Sequence, residues 1–188
     1  MLDRFNQTDA QTEALVARIK NRARNLYLTR QFMCAEAVLV TLNQGLGGSL
    51  SEAQAVAMAA PFSTAMGESG CICGALSGAV LACGLFLGDE QPYRHRKEMR
   101  SSARQLHDMF KMVNGATCCR VLIRKIKQDQ KAHFQHCGDL TAETTACAAR
   151  LILNKRPQLI TQAGNGSLLR CDPVPGGKLN RLWRYFST

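Results

Sequence analysis

The sequence predicts an all-α fold: one helical bundle of about six to seven helices with a loop-rich basic tail. Three observations carry that reading. Hydrophobic residues make up 46% of 188, enough for a sizeable core, yet aromatics are only 6%. Alanine fills much of the remainder, and small residues suit close-packed helices better than a β-sandwich, which draws on β-branched and aromatic side chains. Apolar residues also recur at helical rather than alternating spacing, and glycine or proline punctuates the runs.

Taken in order, Thr8 or Asp9 is placed to cap a first helix. In it, Leu15, Ile19, Ala23 and Leu26 share one face, with Arg18, Lys20, Arg22 and Arg24 elsewhere around the wheel. A second helix covers about Phe32 to Gln44, and Gly45 or Gly47 stops it. Ser51 with Glu52 opens a third, SEAQAVAMAA, which Pro61 interrupts. Cys71 to Leu87 carries no charge and reads as a fourth, closed by Gly88-Asp89. It is shorter than the roughly 20 apolar residues of a membrane span, so it reads as a core helix. Gly74 and Gly78 lie one turn apart, where another helix can approach closely, as in a dimer seam.

A fifth helix starts near Pro92 and ends at Asn114-Gly115. Met99, Ala103, Leu106, Phe110 and Val113 form its apolar stripe, and Arg94, Arg96, Lys97, Arg100 and Arg104 its basic side. Cys119, Leu122, Ile123 and Ile126 share a face of a short sixth helix. Asp139 is placed to cap a last one, with Ala142, Ala146, Ala149 and Leu153 facing inward. Residues 8–155 thus form a helical, cysteine-containing domain. Residues 156–188 form a basic C-terminal extension that Leu182, Trp183, Tyr185 and Phe186 could anchor.

The formal net charge of +10 favours anionic partners without choosing among them. The nine cysteines are more selective. The N-terminal MLDRFNQTDA is polar and reads as no secretory signal, which points to a cytoplasmic chain, where clustered thiols bind metal or do redox chemistry. Cys34, Cys73, Cys119 and Cys137 all fall at or near expected helix starts. Unpaired N–H groups there favour a thiolate. Should those starts converge, the four thiolates share one metal centre. Cys83 and Cys147 read as small core residues, and Cys171 in the tail as incidental. Cys71 and Cys118, each beside a stronger candidate, stand as accessory thiols or bystanders. His133 and His136 read as solvated. No C-x-x-C, haem-attachment, ferredoxin, P-loop, Rossmann or serine-elbow motif is present.

CAEAVL, GESGCICGALSGAVLACG, NGATCCRVLI and a last cysteine before an Ala-rich helix together resemble the redox-active protein family named for its C-GCAxxG-C-C pattern. The resemblance spans Leu26 to Leu153, and Cys73-Gly74-Ala75-Leu76-Ser77-Gly78 is its most specific element. It maps the family cysteines onto Cys34, Cys73, Cys119 and Cys137, with Cys118 and Cys147 as alternatives for the third and fourth. It implies a helical redox protein whose cysteines ligate an iron–sulfur cluster. It also implies similarity to a region of split-Soret cytochromes, without their haem motifs. Cys71, Cys118 and the basic tail depart from the pattern.

Three functions follow as expectations. The first is an electron-transfer protein holding an iron–sulfur cluster through Cys34, Cys73, Cys119 and Cys137, with a redox partner protein. The second is a metal-free thiol–disulfide protein in which Cys73 is the attacking thiolate. The third is a basic helical module binding nucleic acid or another anionic partner. The small-residue face of the fourth helix further predicts a homodimer.

Overall fold

The computed structural model describes residues 2–91 and 93–163. Among them the fold is all-α, with no strand beyond one isolated bridge. Pro92, Cys171 and the proposed tail anchors Leu182, Trp183, Tyr185 and Phe186 lie outside the described residues.

Helix α1 (Leu2–Leu28) runs through Thr8 and Asp9 rather than starting at them. A capping preference is a local bias that a continuous helical run overrides. Leu15, Ile19, Ala23 and Leu26 are all buried, as their spacing requires. Helix α2 (Cys34–Gly45) follows a short turn, and α3 (Glu52–Ala59) is capped reciprocally. The Ser51 hydroxyl accepts from the Gln54 N–H at 3.2 Å, and the Gln54 side chain accepts from the Ser51 N–H at 2.9 Å. At Pro61 the chain tightens into a 3₁₀ turn, Ala60–Phe62, and then enters α4 (Ser63–Gly67), a single turn of reversed hand.

Helix α5 (Gly74–Leu87) is followed by α6 (Arg96–Asn114), the four-residue α7 (Cys119–Leu122), α8 (Gln130–Lys155) and α9 (Leu159–Gln162). Gly115 closes α6 with φ +75°, a backbone state that glycine adopts without the Cβ penalty. Leu106 and Phe110 bury the α6 stripe, but Val113 is exposed and the buried Ser102 joins that face instead. The basic side of α6 faces solvent.

The last helix differs most from expectation. Asp129, not Asp139, is its N-cap, its carboxylate accepting from the Ala132 N–H at 2.9 Å. The helix therefore begins ten residues earlier, and Gly138 is absorbed in its interior. Packing explains how. A Cβ on Gly138 would stand 2.8 Å from Leu28 Cδ2, so the glycine is where α8 presses on the end of α1. Asp139 instead accepts from Arg24 of α1 at 2.9 Å. Arg150 to Glu13 and Lys20 to Glu143 repeat the pattern along the same antiparallel pair. Ala142, Ala146, Ala149 and Leu153 face inward.

The core centres on α2 and α5, which pack on one another, while α1, α8, α3 and α6 pack around them. Nearly every α2 residue from Ala35 to Asn43 is buried. The two helices cross at glycine. A Cβ on Gly78 would lie 2.5 Å from the Ala35 carbonyl oxygen, so no side chain fits there. The small-residue face that suggests a dimer is thus occupied by α2 of the same chain. No described helix is long and apolar enough to cross a membrane.

Candidate functional site: a four-thiol cluster at the start of helix α5

The α2–α5 crossing carries a chemical consequence. A Cβ on Gly74 would meet the Cys34 sulfur at 2.5 Å and the Phe62 carbonyl at 2.8 Å. Gly74 and Gly78 therefore let α2 lie against the first turns of α5 and set its first residue, Cys34, beside the α5 N-terminus. The N-cap of α5 is Cys73 itself.

A second device brings Cys119 to the same place. Residues 70–73 and 117–120 run antiparallel around an Ile72–Cys118 bridge. The Cys73 N–H donates to the Thr117 carbonyl at 2.8 Å, the Cys119 N–H to the Cys71 carbonyl at 3.0 Å, and the Arg120 N–H to the Gly70 carbonyl at 3.2 Å. The Arg120 guanidinium adds a bond to the Ser69 carbonyl at 2.7 Å. Two stretches 44 or more positions apart in sequence are thereby clamped, which sets Cys119 beside Cys73.

Cys137 arrives from α8 by the Gly138 contact. It sits in the second turn onward of α8 rather than ahead of a helix start, so its expected placement is corrected: no free N–H faces it. Its neighbour is Tyr27 of α1, whose hydroxyl lowers the Cys137 thiol against the effect of burial. Tyr27 stacks on Phe134 at 5.1 Å between ring centroids, and the Arg30 guanidinium covers the other ring at 4.7 Å. Nothing in the sequence distinguishes Tyr27, since its role depends on the α1–α8 packing.

The electrostatics revise the helix-start argument. Burial raises the Cys34 thiol despite N–H groups of Thr64, Ala35 and Cys34 itself at its sulfur. Cys73, 3% exposed, is raised well above an ordinary thiol. Its bond to Cys119 is the largest cause, then burial, while the Leu76 N–H approaches its sulfur without forming a full cap bond. Burial pushes Cys137 up to about 11, with Cys34 and Cys119 adding to the rise. Among the four, Cys119 alone moves the other way, down to about 7: its interaction with Cys73 is the largest cause, and with the nearby Gly74 N–H it outweighs partial burial. The first N–H of α5 thus stabilises a thiolate from another chain region. The electrostatics of this pair favour ionisation at Cys119 rather than at Cys73, the cysteine expected to act as attacking thiolate.

The remaining cysteines separate cleanly. Cys83 is fully buried, and that burial pushes it up to about 12. Cys147 lies among Glu143, Arg150 and Lys20 on the α1–α8 pair, apart from the cluster. The Cys118 thiol donates to the Gly70 carbonyl at 2.8 Å, and Cys71 is exposed. His136 differs from the solvated reading: its Nε2 is shielded and has no hydrogen-bond partner among the described residues.

A further feature borders the cluster. Thr64, Ala65, Met66, Gly67 and Glu68 all have φ between +52° and +68°. A left-handed backbone costs about 1–2 kcal/mol for each non-glycine residue. Two bonds brace the turn, Glu68 N–H to the Thr64 carbonyl at 2.9 Å and the Ser69 hydroxyl to the Ala65 carbonyl at 2.7 Å. The reversal delivers the Thr64 N–H to Cys34 and leads the chain into Gly70 and the clamp. Strain of this kind concentrates at functional sites.

Soft thiolate donors suit an iron–sulfur cluster. Cys34, Cys73, Cys119 and Cys137 come from four separate elements and act electrostatically on one another. N–H groups of Thr64, Ala35 and Gly74 already point at their sulfurs. Among the described residues, no three His, Cys, Asp or Glu side chains are grouped to grip one metal ion. A mononuclear site is therefore not what the arrangement offers. A polynuclear cluster divides its thiolates among different irons, and Cys34, Cys73, Cys119 and Cys137 are the residues that would hold one.

A family model described as "Putative redox-active protein (C_GCAxxG_C_C)" matches residues 32–151. No curated protein and no solved structure matches the chain.

Proposed function

This chain belongs to the C_GCAxxG_C_C family of redox-active proteins, and from that premise we propose that it is an electron carrier whose Cys34, Cys73, Cys119 and Cys137 hold an iron–sulfur cluster. The observation that carries the reading is the convergence of these four thiols with backbone N–H groups aimed at their sulfurs. A dithiol catalyst needs two cysteines; two more, recruited from α2 and α8, have no role in that chemistry.

A cluster supplies one-electron oxidation and reduction. The protein's own groups set its conditions. The N–H donors of Thr64, Ala35 and Gly74 stabilise negative charge on sulfur, and the Tyr27 hydroxyl does so at Cys137. Burial of Cys73 and Cys34 restricts water. The glycines at 74 and 78 hold α2 close enough for Cys34 to take part. A redox partner protein completes the reading. Met33 and Val121, exposed and close in sequence to Cys34 and Cys119, are apolar residues such a partner could touch.

Anaerobic purification tests this directly. The expected product is brown, with iron and sulfide near stoichiometry and a charge-transfer absorption that Cys73→Ser abolishes. A colourless, iron-free protein after anaerobic reconstitution overturns the proposal.

A further inference from the structure

The cysteine outside the four-thiol set that stands closest to it is Cys71, and the clamp fixes its relation to Cys119. Around the Ile72–Cys118 bridge, the Cys119 N–H bonds the Cys71 carbonyl and the Cys73 N–H bonds the Thr117 carbonyl. Cys71 therefore stands directly across from Cys119, and Cys73 across from Thr117. Opposed side chains of such a pairing leave on the same side, which sets Cys71 with Cys119 as α7 begins, while Ile72 and Cys118 pair on the other.

Disulfide geometry then discriminates between the two neighbours of Cys119. A bridge needs Cα atoms about 4.4–6.8 Å apart. Directly opposed residues in an antiparallel pair lie about 5.5 Å apart at a hydrogen-bonded position. Diagonal ones lie about 7–8 Å apart. The Cys73–Cys119 pair is diagonal, a spacing that disfavours a bridge without backbone movement. The Cys71–Cys119 pair, joined by the one bond from the Cys119 N–H to the Cys71 carbonyl, has the spacing a bridge requires. Cys118, whose thiol is tied to the Gly70 carbonyl on the opposite side, is not a competitor.

We infer that Cys71 and Cys119 form a reversible disulfide, with exposed Cys71 as the entry thiol. The oxidant is a small disulfide, RSSR. Cys71, as thiolate, attacks one of its sulfurs, forming Cys71–S–S–R and expelling RS⁻. Cys119, as thiolate, then attacks the Cys71 sulfur, forming the Cys71–Cys119 bond and expelling a second RS⁻. The two protons lost by the cysteines convert both RS⁻ to RSH, so two thiols are oxidised by two electrons and one disulfide is reduced. The backbone clamp preorganises the second step, which makes it faster than release of the mixed disulfide. Captured in this bond, Cys119 is unavailable to metal. This last consequence rests on the cluster reading, whereas the disulfide itself does not.

The experiment uses the full chain, iron-free and reduced, exposed to oxidised glutathione and followed by intact mass and free-thiol count. The expected result is loss of two thiols with the matching loss of two hydrogens and no lasting glutathione adduct. Cys71→Ser abolishes the bridge, and Cys119→Ser leaves a stable glutathione adduct on Cys71. Cys73→Ser and Cys118→Ser still form it. Circular dichroism confirms that Cys71→Ser, a change at an exposed position, keeps the fold. A bridge that persists in Cys71→Ser, one that disappears in Cys118→Ser, or no bridge in the unaltered chain overturns the inference. Because iron is absent throughout, this result and the cluster test fail independently.

Discussion

The α1–α8 pair and the thiol end of α2 and α5 are built on opposite terms. Along α1 and α8 the helices are regular, their apolar stripes meet, and their charges pair in antiparallel register at the surface. At the thiol end the backbone reverses hand, helices touch through glycine, and burial keeps most thiols protonated. The first region tolerates small errors because side chains can move. The second does not, because backbone meets backbone and sulfur. The comparison locates function where local preferences are violated and the surrounding packing holds the violation in place.

The largest contrast is chemical. In the metal-free protein, alkylation at neutral pH should select Cys119 over Cys137. Thiolate content favours Cys119, and the lower nucleophilicity of a lower-pKa thiolate offsets about half of that advantage on a log scale, leaving a preference on the order of 10²-fold. The Cys119 rate should rise with pH up to about 7 and then level off, as mass mapping across a pH series will show. Equal labelling of the two would erase the distinction between Cys119 and Cys137.

Next come the glycines. Gly78→Ala forces a Cβ onto the Ala35 carbonyl and should cost about 3 kcal/mol, the upper end for overpacking. Gly138→Ala meets only the end of the Leu28 side chain, which can turn aside, and should cost about 1 kcal/mol. Urea unfolding of the two variants compares the regions directly, and equal losses would deny that one is the stiffer. Met66→Gly should stabilise by about 0.5 kcal/mol. It relieves a left-handed residue whose side chain is exposed, less the entropy that glycine loses on folding. The smallest effect belongs to Arg24→Ala. Its ion pair with Asp139 is exposed, and such pairs contribute about 0–1 kcal/mol, screened further by salt.

Where the sequence was legible, a local rule sufficed. The face of α1, the reciprocal cap at Ser51 and Gln54, the interruption at Pro61 and the glycine end of α6 all follow from spacing and turn chemistry. The approach of another helix at Gly74 and Gly78 was also foreseeable, and α2 of the same chain fills it. The misreadings have a common origin. Gly138-Asp139 looks like a helix start because glycine and aspartate favour ends. In three dimensions the glycine admits Leu28 and the aspartate pairs with Arg24, so the helix continues. Tyr27 carries no local signal, and the reversed turn at 64–68 contains only one glycine to announce it.

The sequence by itself determined the all-α class, the inward faces of the helices and the identity of the four candidate thiols, because periodicity and residue type are properties of the chain. Only the tertiary structure decided which thiol is ionised. A helix start favours a thiolate and burial opposes it, and the balance depends on which sulfur the first N–H of α5 reaches. That N–H reaches Cys119, held beside Cys73 by a backbone clamp between distant segments, and no local pattern encodes such a meeting.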